Sequence, residues 1–230
     1  AAAFFSLDPK SQKPTTPLTP QNLLDTFGDL TVLRLFAETV ATAVAVTVIC
    51  VFIALPTAYF VARIAPKWSR RWLMVAMLLP LWAGYLVKVY AWRAMVAPAG
   101  RFAAAGRGGG GFLQNVFGMT PGYSRAAVVI TLAYLWVPYM ILPIYAGLER
   151  MPASLLDASA DLGAKSLRTF RSVILPLLLP SVAAGSIFTF SLTLGDYISP
   201  GIVIDGKQRV LFGEMIDATL GGPNQPLAAA

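Results

Sequence analysis

The chain has no histidine and a single cysteine, Cys50. The first absence removes the commonest general base and metal ligand. The second excludes an internal disulfide framework and a cysteine cluster for metal. Charge is scarce as well: Asp, Glu, Lys and Arg together make up 13% of residues. No GxxxxGK[ST] loop occurs. The run Gly108-Gly-Gly-Gly111 lacks a following Lys-Ser/Thr and reads as a flexible tether, not a phosphate cradle. With no histidine, no metal-ligand cluster and no triad to assemble, the chain offers no catalytic residues and no ATPase site of its own.

What is present is apolar. Hydrophobic residues make up 57% of the chain, and the mean hydropathy is +0.66. This points to the bilayer rather than to a soluble domain. The charges are segregated: none occurs from Thr39 to Ala62, from Ala126 to Leu148 or from Ser172 to Gly195, and a further run, Trp72 to Val87, ends at Lys88. Each run approaches or reaches the length needed to cross ~30 Å of hydrocarbon at ~1.5 Å per residue. The expectation is an all-α integral membrane protein with at least four spans, near residues 35–62, 71–95, 125–148 and 172–195. Bends are expected at Pro56 and Pro80.

The net charge of +7 does not point to nucleic acid. Arg63, Lys67, Arg70 and Arg71 crowd the turn between the first two spans, and Lys165, Arg168 and Arg171 lead into the fourth. Short Lys/Arg-rich loops lie on the cytoplasmic side, which leaves 96–124 and 196–226 as extracytoplasmic loops. A short helix is expected in the second of these, near 211–220. Residues 4–33, with Pro9, Pro14, Pro17 and Pro20, read as extended. The whole chain, 1–230, reads as one transmembrane domain that looks clipped at both ends, with no signal peptide.

One polar segment lies between two apolar runs. Pro152 suits a first helical turn, Ser154 and Asp157 have the spacing of a capping box, and Gly163 stands where a helix would end on a left-handed residue. Leu155, Leu156, Ala158, Ser159 and Leu162 give the intervening helix a small amphipathic surface. Such a helix either rests on lipid or offers an apolar knob to a groove on a soluble partner. Asp157-Ala158-Ser159, three residues, Gly163-Ala164 and then Ile174-Leu175-Pro176 resemble the cytoplasmic coupling loop of ABC importer permeases, with Asp for Glu at 157 and Ser for Ala at 159. Tyr90-Ala-Trp92, Asp161-Leu-Gly-Ala164, Leu194-Gly-Asp-Tyr-Ile-Ser-Pro200 and the closing Pro226-Leu-Ala are similar to the polyamine-type subfamily of type I importers.

The resemblance implies a permease helical bundle of six spans, of which the first and last are missing here. It also implies a second permease subunit, two ATPase subunits that bind ATP and Mg, and an extracytoplasmic solute-binding protein, at the bacterial inner membrane. The cofactors would then belong to the partners and not to this chain. Within residues 149–171, Leu155, Asp157, Ala158, Ser159, Leu162, Gly163 and Ala164 would form the ATPase-coupling element.

Ionisable groups beside spans are candidates for the solute path. Glu38 opens the first span and Asp196 closes the fourth. A polyamine such as spermidine or putrescine needs carboxylates for its ammonium groups and aromatic faces for its methylenes. Trp82, Tyr85, Trp92, Tyr134 and Tyr197 supply such faces, with Tyr90 and Trp136 nearby. Interface belts of Trp and Tyr are the competing account. Lys88 and Arg93 either snorkel, pair with Glu38 or Asp196, or signal an anionic solute such as an opine or phosphonate. Sugars and amino acids are further alternatives. An ion-coupled secondary transporter would want a mid-membrane acid or inverted repeats, and neither is found. A membrane scaffold would leave the polar segment without a purpose.

Overall fold

The structure is a computed structural model that describes residues 6–7, 14–15, 30–97, 122–204 and 211–220. Apart from one antiparallel pairing of two-residue strands, β1 (Ser6–Leu7) and β2 (Pro14–Thr15), the described elements are helical. They are α1 (Leu30–Tyr59), α2 (Lys67–Trp82), α3 (Tyr85–Val96), α4 (Arg125–Arg150), α5 (Ala153–Asp161), α6 (Ser166–Thr169), α7 (Leu175–Gly195), α8 (Ile198–Val203) and α9 (Phe212–Leu220). Two π-helical turns join them: Phe60–Ile64 extends α1, and Phe170–Ile174 links α6 to α7. The helix α9 is the short helix expected near 211–220.

Three continuous helical stretches are long and apolar enough to span a membrane: Leu30–Ile64, Arg125–Arg150 and Ser166–Gly195. The expected second span is different. It is two helices, α2 and α3, meeting at 93°. Pro80 stays inside α2, and the break falls three residues later, where Ala83 turns extended (ψ 134°) next to Gly84. Glycine lowers the cost of leaving the helix at that point. At ~1.5 Å per residue neither arm alone crosses ~30 Å of hydrocarbon.

The chain divides into two compact units. The first comprises Ala1–Thr42, Trp92–Val128 and Leu194–Ala230. In it the start of α9 is tied to α1: the Phe212 amide donates to the Thr39 hydroxyl at 2.8 Å, and the Phe36 and Phe212 rings meet edge-on at 5.6 Å. The tight approach of Gly213 to Tyr197 adds to this packing.

The second unit comprises Ala43–Ala91 and Val129–Thr193. Within it α1 buries only small or slender residues, Ala43, Val46, Cys50, Ala54 and Ala58, at helical spacing, while Phe52 and Ile53 face outward. Membrane helices approach closely in this way, since burying bulk gains nothing over lipid. The Cys50 thiol donates to the Ala133 carbonyl at 3.6 Å. Leu132, Leu135, Met140, Ile144 and Leu148 of α4 are fully buried, which makes α4 the central helix of this unit. On α7, Leu178, Gly185, Thr189 and Thr193 are buried, while Leu177, Leu179, Ile187 and Phe188 stay exposed.

Candidate functional site

The polar segment between α4 and α7 is a helix-turn-helix. Pro152 is the N-cap of α5 (φ −60°, ψ 135°) and not a first-turn residue, because the extended ψ starts the helix only at Ala153. Ser154 therefore lies inside α5 and the expected capping box does not form; α5 has no side-chain cap. The other end is as the sequence implies. Gly163 has φ +73°. Its amide donates to the Ala160 carbonyl at 2.8 Å, and the Ala164 amide reaches back to the Ser159 carbonyl at 3.1 Å. These are the two bonds of a Schellman termination, which needs a left-handed residue at this point.

The coupling candidates separate into two groups. Leu155, Ala158 and Leu162 recur at i, i+3 and i+7 along one side, all exposed, with Leu162 at 88%. Asp157, also exposed, is two residues from Leu155 and so points away from that side. Ser159 is buried, and its hydroxyl bonds the Thr169 hydroxyl at 2.8 Å. It holds the two arms of the turn together rather than facing a partner. Ala164 is half-buried next to Gly163.

Both flanks of this segment are gripped by residues that the sequence reading took only as markers of the cytoplasmic side or did not single out. The Arg63 guanidinium donates to the Leu148 carbonyl at 2.7 Å and the Met151 carbonyl at 2.8 Å. Arg70 donates to the Tyr145 hydroxyl at 2.8 Å and to Glu149 at 2.5 Å, and the Tyr145 hydroxyl also donates to Glu149 at 2.7 Å. On the far flank, the Tyr59 and Phe170 rings meet edge-on at 6.0 Å. The sequence placed Arg63 and Arg70 in the right loop, but their partners lie more than seventy positions away, beyond the reach of local pattern.

The span-end acids serve the chain itself. Glu38 accepts from Arg34 at 3.1 Å and from Arg125, and not from Lys88 or Arg93, for which pairing with it was one of the alternatives. The Arg93 guanidinium instead lies 5.6 Å from the Tyr123 ring centroid. Asp196 is buried and accepts from the Ile198 amide at 3.1 Å, the Ser199 amide at 3.0 Å and the Ser199 hydroxyl at 2.7 Å. It caps α8, satisfying donors that a helix start leaves open.

Of the aromatic candidates, Tyr85 stacks on Trp136 with centroids 6.3 Å apart. That stack continues through Tyr139 to Phe188, which brings α3, α4 and α7 together. Tyr139 and Phe188 were not anticipated, although Tyr139 follows Trp136 by one helical turn. Trp82, 91% exposed, lies outside the group; Tyr134 and Tyr197 are also exposed, and Trp92 is half-buried.

The pattern describing the binding-protein-dependent transport system inner membrane component matches residues 39–225. The chain belongs to that family. It is 39% identical to the inner membrane ABC transporter permease protein YdcU of Escherichia coli (strain K12), over 99% of this chain and 74% of that protein. It is 29% identical to the spermidine/putrescine transport system permease protein PotB of Haemophilus influenzae, over 87% of this chain and 68% of that protein. Among solved structures, a bacterial ABC transporter involved in the import of the acidic polysaccharide alginate superposes with a TM-score of 0.61 at 15% identity, covering 99% of this chain and 79% of that one. At that identity the likeness concerns the fold alone.

The chain is thus an all-α, multi-pass permease subunit of an ABC importer in the inner membrane. Membership implies an ATP-hydrolysing partner and a solute-binding protein.

Proposed function

We propose that this permease, paired with a second permease subunit and two ATPase subunits, moves a polyamine such as spermidine or putrescine inward by alternating access. Residues 149–171 are its cytoplasmic coupling segment, and 96–124 and 196–226 face outward. ATP and Mg bind the partner subunits, since this chain carries no phosphate-cradling loop. The observation that carries the reading is the exposed Leu155–Ala158–Leu162 side of α5, presented on a turn fixed by Gly163 between two membrane helices. A short apolar helix face of this kind suits a groove on a soluble subunit. For the partner to drive motion, α5 must bind its two nucleotide states differently.

The polyamine assignment draws on the name of the PotB relative and on the ring cluster in which Trp136 is buried while Tyr85, Tyr139 and Phe188 keep accessible faces suited to methylene chains and ammonium groups. Glu38 and Asp196 are occupied by their own chain, so solute choice rests mainly with the binding protein. The test is to purify the tagged full-length chain in mild detergent, identify what co-purifies, and screen the binding protein against polyamines, opines and phosphonates. Recovery of an ATPase, a second permease and a polyamine-selective binding protein is expected. A chain recovered alone after crosslinking would overturn the importer assembly, and an opine- or phosphonate-selective binding protein would overturn the polyamine assignment only.

A further inference from the structure

The two π-helical turns of the described chain lie next to each other and flank the coupling segment. Each closes with an i→i−5 bond: Ala65 N–H to the Phe60 carbonyl, and Leu175 N–H to the Phe170 carbonyl. Such turns are rare and concentrate at functional sites. Local sequence accounts for both positions. Pro66 forces Ala65 to be extended and so ends the first turn, while the ring of Pro176 crowds the carbonyl four residues before it and favours a wider second turn. The turns touch through Tyr59, the residue that enters the first, and Phe170, the residue that opens the second.

Arg63 lies one turn beyond Tyr59, inside the first π turn. It holds the carbonyl of Leu148, which also accepts from the Met151 amide at 3.3 Å, and the carbonyl of Met151 just past the end of α4. The end of α1 therefore grips both flanks of the coupling segment: Met151 on the way in and Phe170 on the way out. The grip lies beside both routes from α5, the one into α4 at Met151 and the one into α7 at Phe170. Coupling energy needs a discrete physical connection of this kind.

Resting on the coupling role proposed for residues 149–171, we propose that Tyr59 and Arg63 are positioning residues that make the end of α1 move with the coupling segment. The first span is then driven directly by the ATPase, and the paired π turns are where the adjoining helices absorb the displacement.

The test uses the full-length chain in its assembled complex, in lipid nanodiscs, with nitroxide pairs read by pulsed electron resonance before and after trapping with ATP and vanadate. One pair is Leu167→Cys with Trp82→Cys, and the other is Ile64→Cys with Leu167→Cys. All three positions are strongly exposed. The first distance should shift by about 2–5 Å on trapping, the scale of helix movements at such interfaces, while the second stays fixed. In Tyr59→Ala plus Arg63→Gln, the second distance should shift as well. Tyr59→Phe plus Arg63→Lys, which keeps the ring and the donor, should restore its constancy. A merely structural role would lower yield without making this distance depend on nucleotide. If Ile64–Leu167 shifts in the unsubstituted chain, or stays fixed in the Ala/Gln variant, the grip does not transmit and the coupling segment stands. If Leu167–Trp82 never responds to nucleotide, the coupling reading fails and this proposal with it.

Discussion

Gly147 of α4 lies against Ser181 of α7 with no room for a β-carbon: one placed there would overlap the Ser181 hydroxyl and come within 3.1 Å of the Ser181 Cβ and of Leu178 Cδ2. About one turn further along the same helix pair, a β-carbon on Gly185 would lie 2.7 Å from Met140 Sδ and 3.1 Å from Pro143 Cγ. The α4–α7 contact is built on absent side chains, as membrane helix interfaces often are. Gly147→Val should cost about 1–3 kcal/mol by overpacking. A lower detergent melting temperature would show it; an unchanged one would mean that the helices are not so close.

Gly163→Ala meets open space, since nothing lies within 4 Å of a β-carbon there, so its cost is the φ of +73° alone. That should be about 1–2 kcal/mol. Recovery of the ATPase subunit with the Ala variant should fall modestly, and with Gly163→Pro it should be lost. Equal recovery in all three chains would separate the turn from docking.

Asp157→Arg and Leu162→Arg address the two sides of α5 separately. Leu162 shares its side with Leu155 and Ala158, while Asp157 does not. Leu162→Arg should abolish ATPase co-purification if the apolar side is the docking side. Retention in Leu162→Arg with loss in Asp157→Arg would reverse the assignment of faces.

Asp196→Asn keeps an acceptor for the Ile198 and Ser199 amides, and Asp196→Ala removes it. The Ala variant should destabilise the start of α8 by about 0.5–2 kcal/mol, as loss of an N-cap does, and speed hydrogen exchange at those amides. Asn should exchange near the unsubstituted rate and retain spermidine uptake. Loss of uptake in Asn with unchanged exchange would give the charge a transport role.

Much of this was legible in the sequence because the bilayer imposes length and charge rules on each segment by itself. Three charge-free runs are three continuous helices, and Gly163 ends α5 as its position implies. The rest depended on contacts distant in sequence. Nothing local told that Glu38 would face Arg125 eighty-seven positions on, whereas the Asp196 bonds to Ile198 and Ser199 are local and were passed over because the acid was read only as a span end. The break between α2 and α3 was obscured because Pro80 drew attention from Gly84. Ser159 looked like part of a docking surface because its neighbours are small and apolar, whereas its hydroxyl serves Thr169.

The seclusion of Cys50 has a practical consequence. Its thiol is fully buried against a backbone carbonyl, so maleimides and methanethiosulfonates should reach it slowly. Every cysteine introduced at an exposed position then becomes, in effect, the chain's lone reactive sulfur. Residues 1–230 are open to site-by-site accessibility mapping from either side of the membrane without first replacing Cys50.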